Sequence, residues 1–203
     1  MSKQSMKSRR DFIMTGLLVL PFIKHDALAD TCNATETNIR GPFYRPNAPW
    51  KTSLAGSHEP GETLIISGRV FGADTCKPLK GAVVDVWQAN AAGHYDNDDA
   101  SHPPDPKKFI LRGQMKTDKK GRYKFRTILP GNYQDEELWR ARHIHYIISV
   151  PGYSSLITQC YFKGDPYNDT DILVKASLII DLKTSGSKKK RHKGTFDIVL
   201  VKA

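Results

Sequence analysis

The sequence predicts an all-β protein, specifically an antiparallel β-sandwich with long connecting loops. Short segments rich in β-branched and aromatic residues alternate with turn residues between positions 64 and 201, which is the pattern of strands. No long segment has the apolar periodicity of an amphipathic helix. The 203 residues, of which 39% are hydrophobic, suffice for one domain with its own core.

Seven segments have the strand pattern, and they occupy residues 64–70, 82–87, 123–128, 143–150, 156–162, 176–182 and 195–201. About seven short strands joined by turns are typical of a sandwich of the immunoglobulin-like or transthyretin-like kind. The connection 89–106 is long and polar, with four aspartates and three prolines. Long loops on a compact β scaffold often carry function, so this loop is a candidate part of a site.

Residues 1–29 have the three parts of a secretory signal peptide. Basic residues come first, the apolar run 12–23 follows, and a small-residue cleavage site precedes the mature chain. The segment around Arg9 and Arg10, SRRDFI, resembles a twin-arginine motif. We therefore predict export to the periplasm or the exterior, with residues 30–203 forming the mature domain and no membrane anchor after cleavage.

Three cysteines, Cys32, Cys76 and Cys160, belong to the predicted mature domain. An exported protein meets oxidising conditions, under which one pair can form a disulfide. Cys32 and Cys76 lie in loop-like contexts and are the favoured pair. Cys160 lies in an apolar strand, so we expect a buried free thiol there.

The chain is basic, with a formal net charge of +10, and much of that charge lies in the run 188–193. This run falls between two strand-like segments and has no interleaved aromatic residue. We interpret it as a solvated hairpin loop and expect no nucleic-acid partner. No glycine-rich phosphate-binding motif occurs, and no apolar run reaches the length of about 18 residues that a membrane span needs.

The motif His143-Ile144-His145 is the first indication of a functional site. Alternate side chains of a strand share one face, so the two imidazoles point the same way. Such a pair is half of a metal site, because neutral imidazole is a common metal ligand, or it is a pair of solvated histidines. The other histidines of the mature chain, His58, His94, His102 and His192, lie in loops without a distinctive ligand spacing.

Two tyrosines are candidates for the remaining ligands of this metal site. Tyr95 follows Gly93-His94 after a predicted strand, and Tyr133 follows the turn Pro130-Gly131-Asn132. A trivalent cation strongly favours the phenolate form of a tyrosine, whose ordinary pKa is near 10. Two phenolates and two imidazoles would suit Fe(III), although each tyrosine taken singly also fits a structural position at the rim of a sandwich.

Several separated motifs, in the same order, resemble those of the intradiol ring-cleavage dioxygenases, the catechol and protocatechuate 3,4-dioxygenase family. The matching segments are residues 41–44 (GPFY), 66–70 (ISGRV), 76–90 (CKPLKGAVVDVWQAN), 93–95 (GHY), 118–121 (DKKG), 123–128 (YKFRTI), 130–133 (PGNY), 139–145 (WRARHIH), 156–162 (LITQCYF) and 164–166 (GDP). Together they span nearly all of the predicted mature chain.

The resemblance implies an enzyme that opens the aromatic ring of a catechol between its two hydroxylated carbons with O2, giving a muconate-type diacid. It implies non-haem Fe(III) held by four residues, Tyr95, Tyr133, His143 and His145. It also implies that Arg140 and Gln159 line the substrate pocket and that Tyr133 takes a proton from the substrate. The segment between Tyr133 and Trp139 is shorter than in the protocatechuate enzymes, which leaves the identity of the catechol open.

Two other readings of the residues compete with this one. The strand pattern alone also fits a non-catalytic extracytoplasmic binding module. The pair His143 and His145 also fits another metal enzyme, such as a copper or zinc protein, which would leave Tyr95 and Tyr133 without a role. The expected partners of the dioxygenase are a small catechol and O2, and a homo-oligomer is compatible with the family.

Overall fold

The computed structural model describes residues 33–187 and 189–203, which form a β-sandwich, as predicted. The predicted signal peptide, residues 1–29, lies outside the described residues. Within the described part of the chain, no helix is long and apolar enough to cross a membrane.

Twelve strands and one short 3-10 turn are described. The strands are β1 (Thr63–Gly72), β2 (Val83–Trp87), β3 (Arg112–Lys116), β4 (Arg122–Ile128), β5 (Tyr133–Asp135), β6 (Leu138–Arg140), β7 (His143–Ser149), β8 (Leu156–Phe162), β9 (Ile179–Ile180), β10 (Lys183–Ser185), β11 (Arg191–Thr195) and β12 (Ile198–Leu200). The 3-10 turn, Ala176–Leu178, precedes β9.

Two five-stranded sheets make the two layers. The first sheet has the order β10-β11-β1-β12, and its fifth strand, β4, also pairs with β1. The second sheet has the order β3-β2-β7-β8-β9. The strands β5 and β6 form a separate hairpin. Most pairs are antiparallel as predicted, but β1 pairs in parallel with β11 and β12, and β8 with β9.

The core lies between the inner faces of the two sheets. Buried apolar side chains alternate along β1 and β4 of the first sheet, and Ile144, Tyr146 and Ile148 alternate along β7 of the second. The side chains between them, among them His143 and His145, therefore point to the outer face of the second sheet. That outer face carries the candidate site.

The predicted strand at residues 176–182 is wrong over most of its length, because the 3-10 turn occupies its first half and β9 has two residues. The sequence does not predict the strands β3, β5, β6, β10 and β11, and β11 shares only Thr195 with the predicted strand 195–201. The sequence of β3, Arg-Gly-Gln-Met-Lys, has low β propensity, and its strand conformation comes from pairing with β2. Tertiary pairing thus overrides local preference here.

The basic run 188–193 belongs to the β10–β11 hairpin, with Lys188 outside the described residues. Lys189 and Lys190 are exposed, as a solvated loop predicts. The loop prediction is wrong for residues 191–193, which begin β11 because they pair with β1 and β10. His192 is also buried, with its Nε2 2.6 Å from Oε2 of Glu62. The hairpin is therefore tied to the chain just before β1.

Cys160 is a buried free thiol, as predicted, and burial raises its pKa well above the usual range. Cys76 is disulfide-bonded. Its predicted partner, Cys32, lies outside the described residues.

Candidate active site

The site is built on a row of side chains that crosses three strands of the second sheet. Trp87 of β2 is directly opposite His145 of β7, and His145 is directly opposite Gln159 of β8. The indole of Trp87 stacks on the imidazole of His145 with ring centroids 4.7 Å apart and planes only 3° from parallel. Strand register therefore places Gln159 beside the histidine pair, and stacking fixes the plane of His145.

Three polar atoms converge above this row. The hydroxyl of Tyr95 lies 3.1 Å from Nε2 of His145 and 3.3 Å from Nε2 of His143, and the two Nε2 atoms are 3.1 Å apart. All three residues are at least 95% shielded from solvent. The fold thus brings Tyr95 and His143, which are 48 residues apart in the sequence, to hydrogen-bonding distance.

The protonation of His143 follows from its surroundings. Its Nδ1 lies 2.7 Å from the carbonyl oxygen of Ala141 and donates to it, so Nε2 presents its lone pair to the centre. Burial, and then the nearby Arg140 guanidinium, lower the pKa of His143 to about 3. Burial also holds the pKa of His145 well below its usual range, with His143 and Arg140 adding to the effect. Both imidazoles are neutral at pH 7.

Tyr95 is fixed by the long polar loop. Its ring stacks on Phe43 with centroids 4.4 Å apart, and its backbone N–H donates to Asp98 at 3.0 Å. The next residue, Asp96, accepts a 2.6 Å hydrogen bond from Nε of Arg112, a side chain only 1% exposed. Burial, followed by the nearby Tyr133, raises the pKa of Tyr95 well above 10.

Two glycines bring the loops of Tyr95 and Tyr133 together. A Cβ at Gly93, where φ is +91°, would be 2.4 Å from the carbonyl oxygen of Asn132, and one at Gly131 would be 2.5 Å from that of Ala91. Only glycine permits such close backbone contact. The Tyr133 ring consequently lies with its centroid 5.7 Å from those of both Tyr95 and His143.

Arg140 connects Tyr133 to the rest of the site. Its Nη1 donates to the Tyr133 hydroxyl at 3.3 Å, its Nη2 to Oε1 of Gln159 at 3.1 Å, and its Nε to Oδ2 of Asp171 at 2.9 Å. Oε1 of Gln159 also accepts a 2.6 Å hydrogen bond from the Tyr161 hydroxyl. Burial raises the pKa of Tyr133, and the Arg140 charge opposes that rise.

The six residues proposed from the sequence thus lie within one connected cluster. A family model described as "Dioxygenase" matches residues 39–202. The chain belongs to the intradiol ring-cleavage dioxygenase family.

Known members of this family resemble the chain in sequence and in fold. Catechol 1,2-dioxygenase 2 of Acinetobacter lwoffii is 38% identical over an alignment of 159 positions that covers 70% of this chain and 56% of that protein. The dioxygenase domain of a dioxygenase carbohydrate-binding protein fusion from Streptomyces sp. SirexAA-E is 39% identical, with a TM-score of 0.72 over 84% of this chain and 100% of that one. The structure of 3-chlorocatechol 1,2-dioxygenase from Rhodococcus opacus is 29% identical, with a TM-score of 0.75 over 83% of this chain and 73% of that one.

The chain spans about half the length of the first curated relatives that it matches. Its described residues hold no group of three or more His, Cys, Asp or Glu arranged for a metal, so the candidate centre depends on tyrosine as well as histidine. His94 and His102 lie elsewhere, exposed and 3.1 and 2.7 Å from Asp98 and Asp99.

A cleft of about 590 Å³ opens above Tyr95 and Tyr133. Its wall is partly aromatic, with Phe43 and Trp139, and partly acidic, with Asp98 and Asp99. Tyr133 is half-buried in this wall, whereas Tyr95 is only 5% exposed. A planar ring entering the cleft therefore meets Tyr133 before it reaches the buried histidines.

Several supporting residues were not found from the sequence, chiefly Asp171, Tyr161, Arg112, Asp96 and Phe43. Asp171 is 31 residues from Arg140 along the chain, so no local sequence pattern predicts their contact. Trp87 did carry a signal, because it ends a β-rich segment at the edge of the long loop. Its stacking role could have been inferred once the β2–β7 pairing was known.

Proposed function

We propose that this chain is a non-haem Fe(III)-dependent intradiol dioxygenase that opens a catechol ring between its two hydroxylated carbons with O2, giving a muconate-type diacid. One observation carries the proposal, namely the convergence of the Tyr95 hydroxyl with Nε2 of His143 and His145, with Tyr133 alongside. Family membership supports the same activity.

The chemistry of the donor set fits a metal ion. Ligand atoms bound about 2 Å from one ion lie roughly 3 Å from one another, and the three converging atoms are 3.1–3.3 Å apart. The lone pair of His143 Nε2 faces two other electron-rich atoms, an arrangement that a shared cation stabilises. A cation would also release the proton of Tyr95, whose phenol is otherwise neutral in this buried position.

Tyr95, Tyr133, His143 and His145 would hold the iron, which supplies a Lewis-acidic, electron-accepting centre for the two catechol oxygens. Tyr133 faces the cleft, and as the phenolate that a ferric ion would favour it would be placed to take a proton from one substrate hydroxyl. Arg140, 3.3 Å from the Tyr133 hydroxyl, stabilises negative charge on the bound ring, and its effect is large because the site is shielded from water.

Gln159 has an orienting role in this scheme. Its Oε1 is occupied by Arg140 and Tyr161, and its Nε2 donates to the Ile39 carbonyl at 3.0 Å. The amide is therefore held in one orientation, with its second N–H left to contact an oxygen of the reactants. Phe43 and Trp87 cover the centre and exclude water from it.

The test is a visible absorption spectrum of the purified protein before and after anaerobic addition of catechol. Tyrosinate bound to Fe(III) gives a broad charge-transfer band, and we expect that band to move to longer wavelength with catechol. Admission of O2 should then yield the ring-opened diacid. A protein that stays colourless after loading with ferrous iron in air would overturn the iron proposal and favour the binding module.

We also propose that the protein acts outside the cytoplasm. The signal-like features of residues 1–29 and the disulfide at Cys76 support export, because disulfides persist in oxidising compartments. Fractionation of cells expressing the full chain, compared with the variant in which Arg9 and Arg10 are both lysine, tests the route. The oligomeric state stays a prediction.

A further inference from the structure

The outer face of the first sheet carries basic side chains on both sides of β1. On this face residues 63–67 of β1 are half-buried and uncharged, the exposed Arg69 follows them, and the neighbours β11 and β4 contribute exposed cations. The facing pairs are Thr63 with Arg191, Ile65 with Lys193 and with Arg126, and Ser67 with Lys124. Ile65 thus has a cation directly opposite on each side.

These cations are not matched by acidic side chains. Among the described residues, Lys124, Arg126, Arg191 and Lys193 form no ion pair, and Lys183 of β10 lies directly opposite Lys193. Like charges directly opposite one another destabilise a sheet. An anionic partner would remove that repulsion.

Two of the nearby carboxylates are already engaged. Glu62 is bound by His192 at 2.6 Å and lies 3.7 Å from Lys190. Asp118 is bound by Arg122 at 2.7 Å, so the far end of β4 is neutralised. The unpaired positive charge is concentrated between Lys124 and Arg191, next to a cavity of about 680 Å³ whose lining has more basic residues, Arg126 and Arg191 among them, than acidic ones, Glu59 and Glu62.

The two cationic rows define a shallow groove. Strands in a sheet are about 4.8 Å apart, so the rows on β4 and β11 are roughly 10 Å apart, with β1 as the floor between them. Successive cations along one row are separated by two residues, or about 7 Å. A linear anion lying along β1 would have positive charge on both flanks and the hydroxyls of Thr63 and Ser67 beneath it.

We propose that this groove binds an extended carboxylated polysaccharide, a chain of uronate type. Single-stranded nucleic acid is bound through aromatic platforms as well as charge, and the outward positions that form the groove, residues 63–67 of β1, 124–126 of β4 and 191–193 of β11, carry no aromatic side chain. Uronate chains need what the groove offers, namely cations for the carboxylates and hydroxyl groups for the sugar hydroxyls. The site is distinct from the catalytic cleft and does not depend on the proposed oxygenation.

The test measures binding of polygalacturonate to the purified protein by titration calorimetry at several salt concentrations. We expect binding that weakens as salt rises, and a loss of at least tenfold in affinity in the double variant Arg126→Glu, Lys193→Glu. This variant should fold, because Glu at position 193 would face Lys183. The control is Lys77→Glu, Lys80→Glu, the same charge change at exposed residues beyond the end of β1.

The control variant should bind like the unmodified protein. Equal losses in both variants would show that net charge alone attracts the polymer, and would overturn the groove. Absence of binding by the unmodified protein would overturn it as well. Equal or tighter binding of single-stranded DNA, or of vesicles containing phosphatidylglycerol, would replace the polysaccharide with a general polyanion or a membrane surface.

Discussion

Asp171 Oδ2 lies 2.9 Å from Nε of Arg140, and neither side chain is more than 2% exposed. The same oxygen accepts a 2.9 Å hydrogen bond from the backbone N–H of Ala141, whose carbonyl receives the Nδ1–H of His143. One buried carboxylate therefore orients the guanidinium of Arg140 directly and the imidazole of His143 through a single residue, Ala141.

Asp171→Asn should lower the free energy of unfolding by about 3 kcal/mol or more, because removing one partner leaves a buried guanidinium uncompensated. Denaturant unfolding measures the loss. Asp169→Asn, the same change at an exposed position of the same loop, should have almost no effect. In a double-mutant cycle, Arg140→Gln should recover part of the loss; strict additivity of the two changes would contradict a direct coupling.

Arg140→Ala should retain iron and lose turnover. Removing one preorganised charge-stabilising group typically reduces kcat about 10²-fold to 10³-fold, and Arg140 is not one of the proposed ligands. Metal analysis and steady-state kinetics on the same preparation separate the two properties. Arg142→Ala, a neighbouring arginine whose side chain is 38% exposed, is the matched control; an equal effect there would remove the special role of Arg140.

Tyr95→Phe should weaken and shift the visible band, reduce the bound iron and abolish ring cleavage. The variant loses one of the three converging atoms but keeps the ring that stacks on Phe43. Tyr153→Phe removes a hydroxyl that donates to the exposed Asp74, and should leave colour and iron unchanged. Retention of full iron and colour in Tyr95→Phe would favour a metal site without tyrosine.

Gly93→Ala tests whether the two tyrosine loops depend on backbone contact. Gly93 and Gly152 both have positive φ, +91° and +85°, but a Cβ at Gly152 would meet nothing within 4 Å. Gly152→Ala should cost about 1–2 kcal/mol from backbone strain alone. Gly93→Ala should cost more and also weaken iron binding, because it pushes Asn132 and Tyr133 away. Similar stability and iron content in the two variants would contradict this.

The Glu62–His192 contact predicts a pH-dependent contribution to stability. The hydrogen bond from His192, together with Lys190, lowers the pKa of Glu62. A carboxyl whose pKa is lower in the folded state adds stability above its unfolded pKa, and this contribution disappears as the pH falls through the folded value. Thermal unfolding should show Glu62→Gln less stable than the unmodified protein at pH 7, with the difference shrinking as the pH falls below the ordinary glutamate pKa. A difference that does not change with pH would exclude this linkage, and Glu59→Gln, with no ion pair among the described residues, is the control.

Most of the scaffold and the placement of the paired histidines could be predicted from alternation alone. The period of two along residues 143–149 separates His143 and His145 from the core side chains, and the structure shows that separation. The loops that carry Tyr95 and Tyr133 could also be predicted, because each tyrosine follows a turn that contains glycine. What alternation does not encode is long-range pairing, as in β3 or the contact between Arg140 and Asp171, because such contacts arise only when distant segments pack together.

The pleat of β7 also has a consequence for how such a protein can change over evolutionary time. Deleting or inserting one residue within residues 143–149 would exchange the two sides of the strand. The imidazoles would then face the hydrocarbon interior, and isoleucine would face the cleft. Point substitutions on the outward side can alter the lining of the cleft without disturbing the interior, whereas a change in the length of this strand would disrupt the core and the candidate site together.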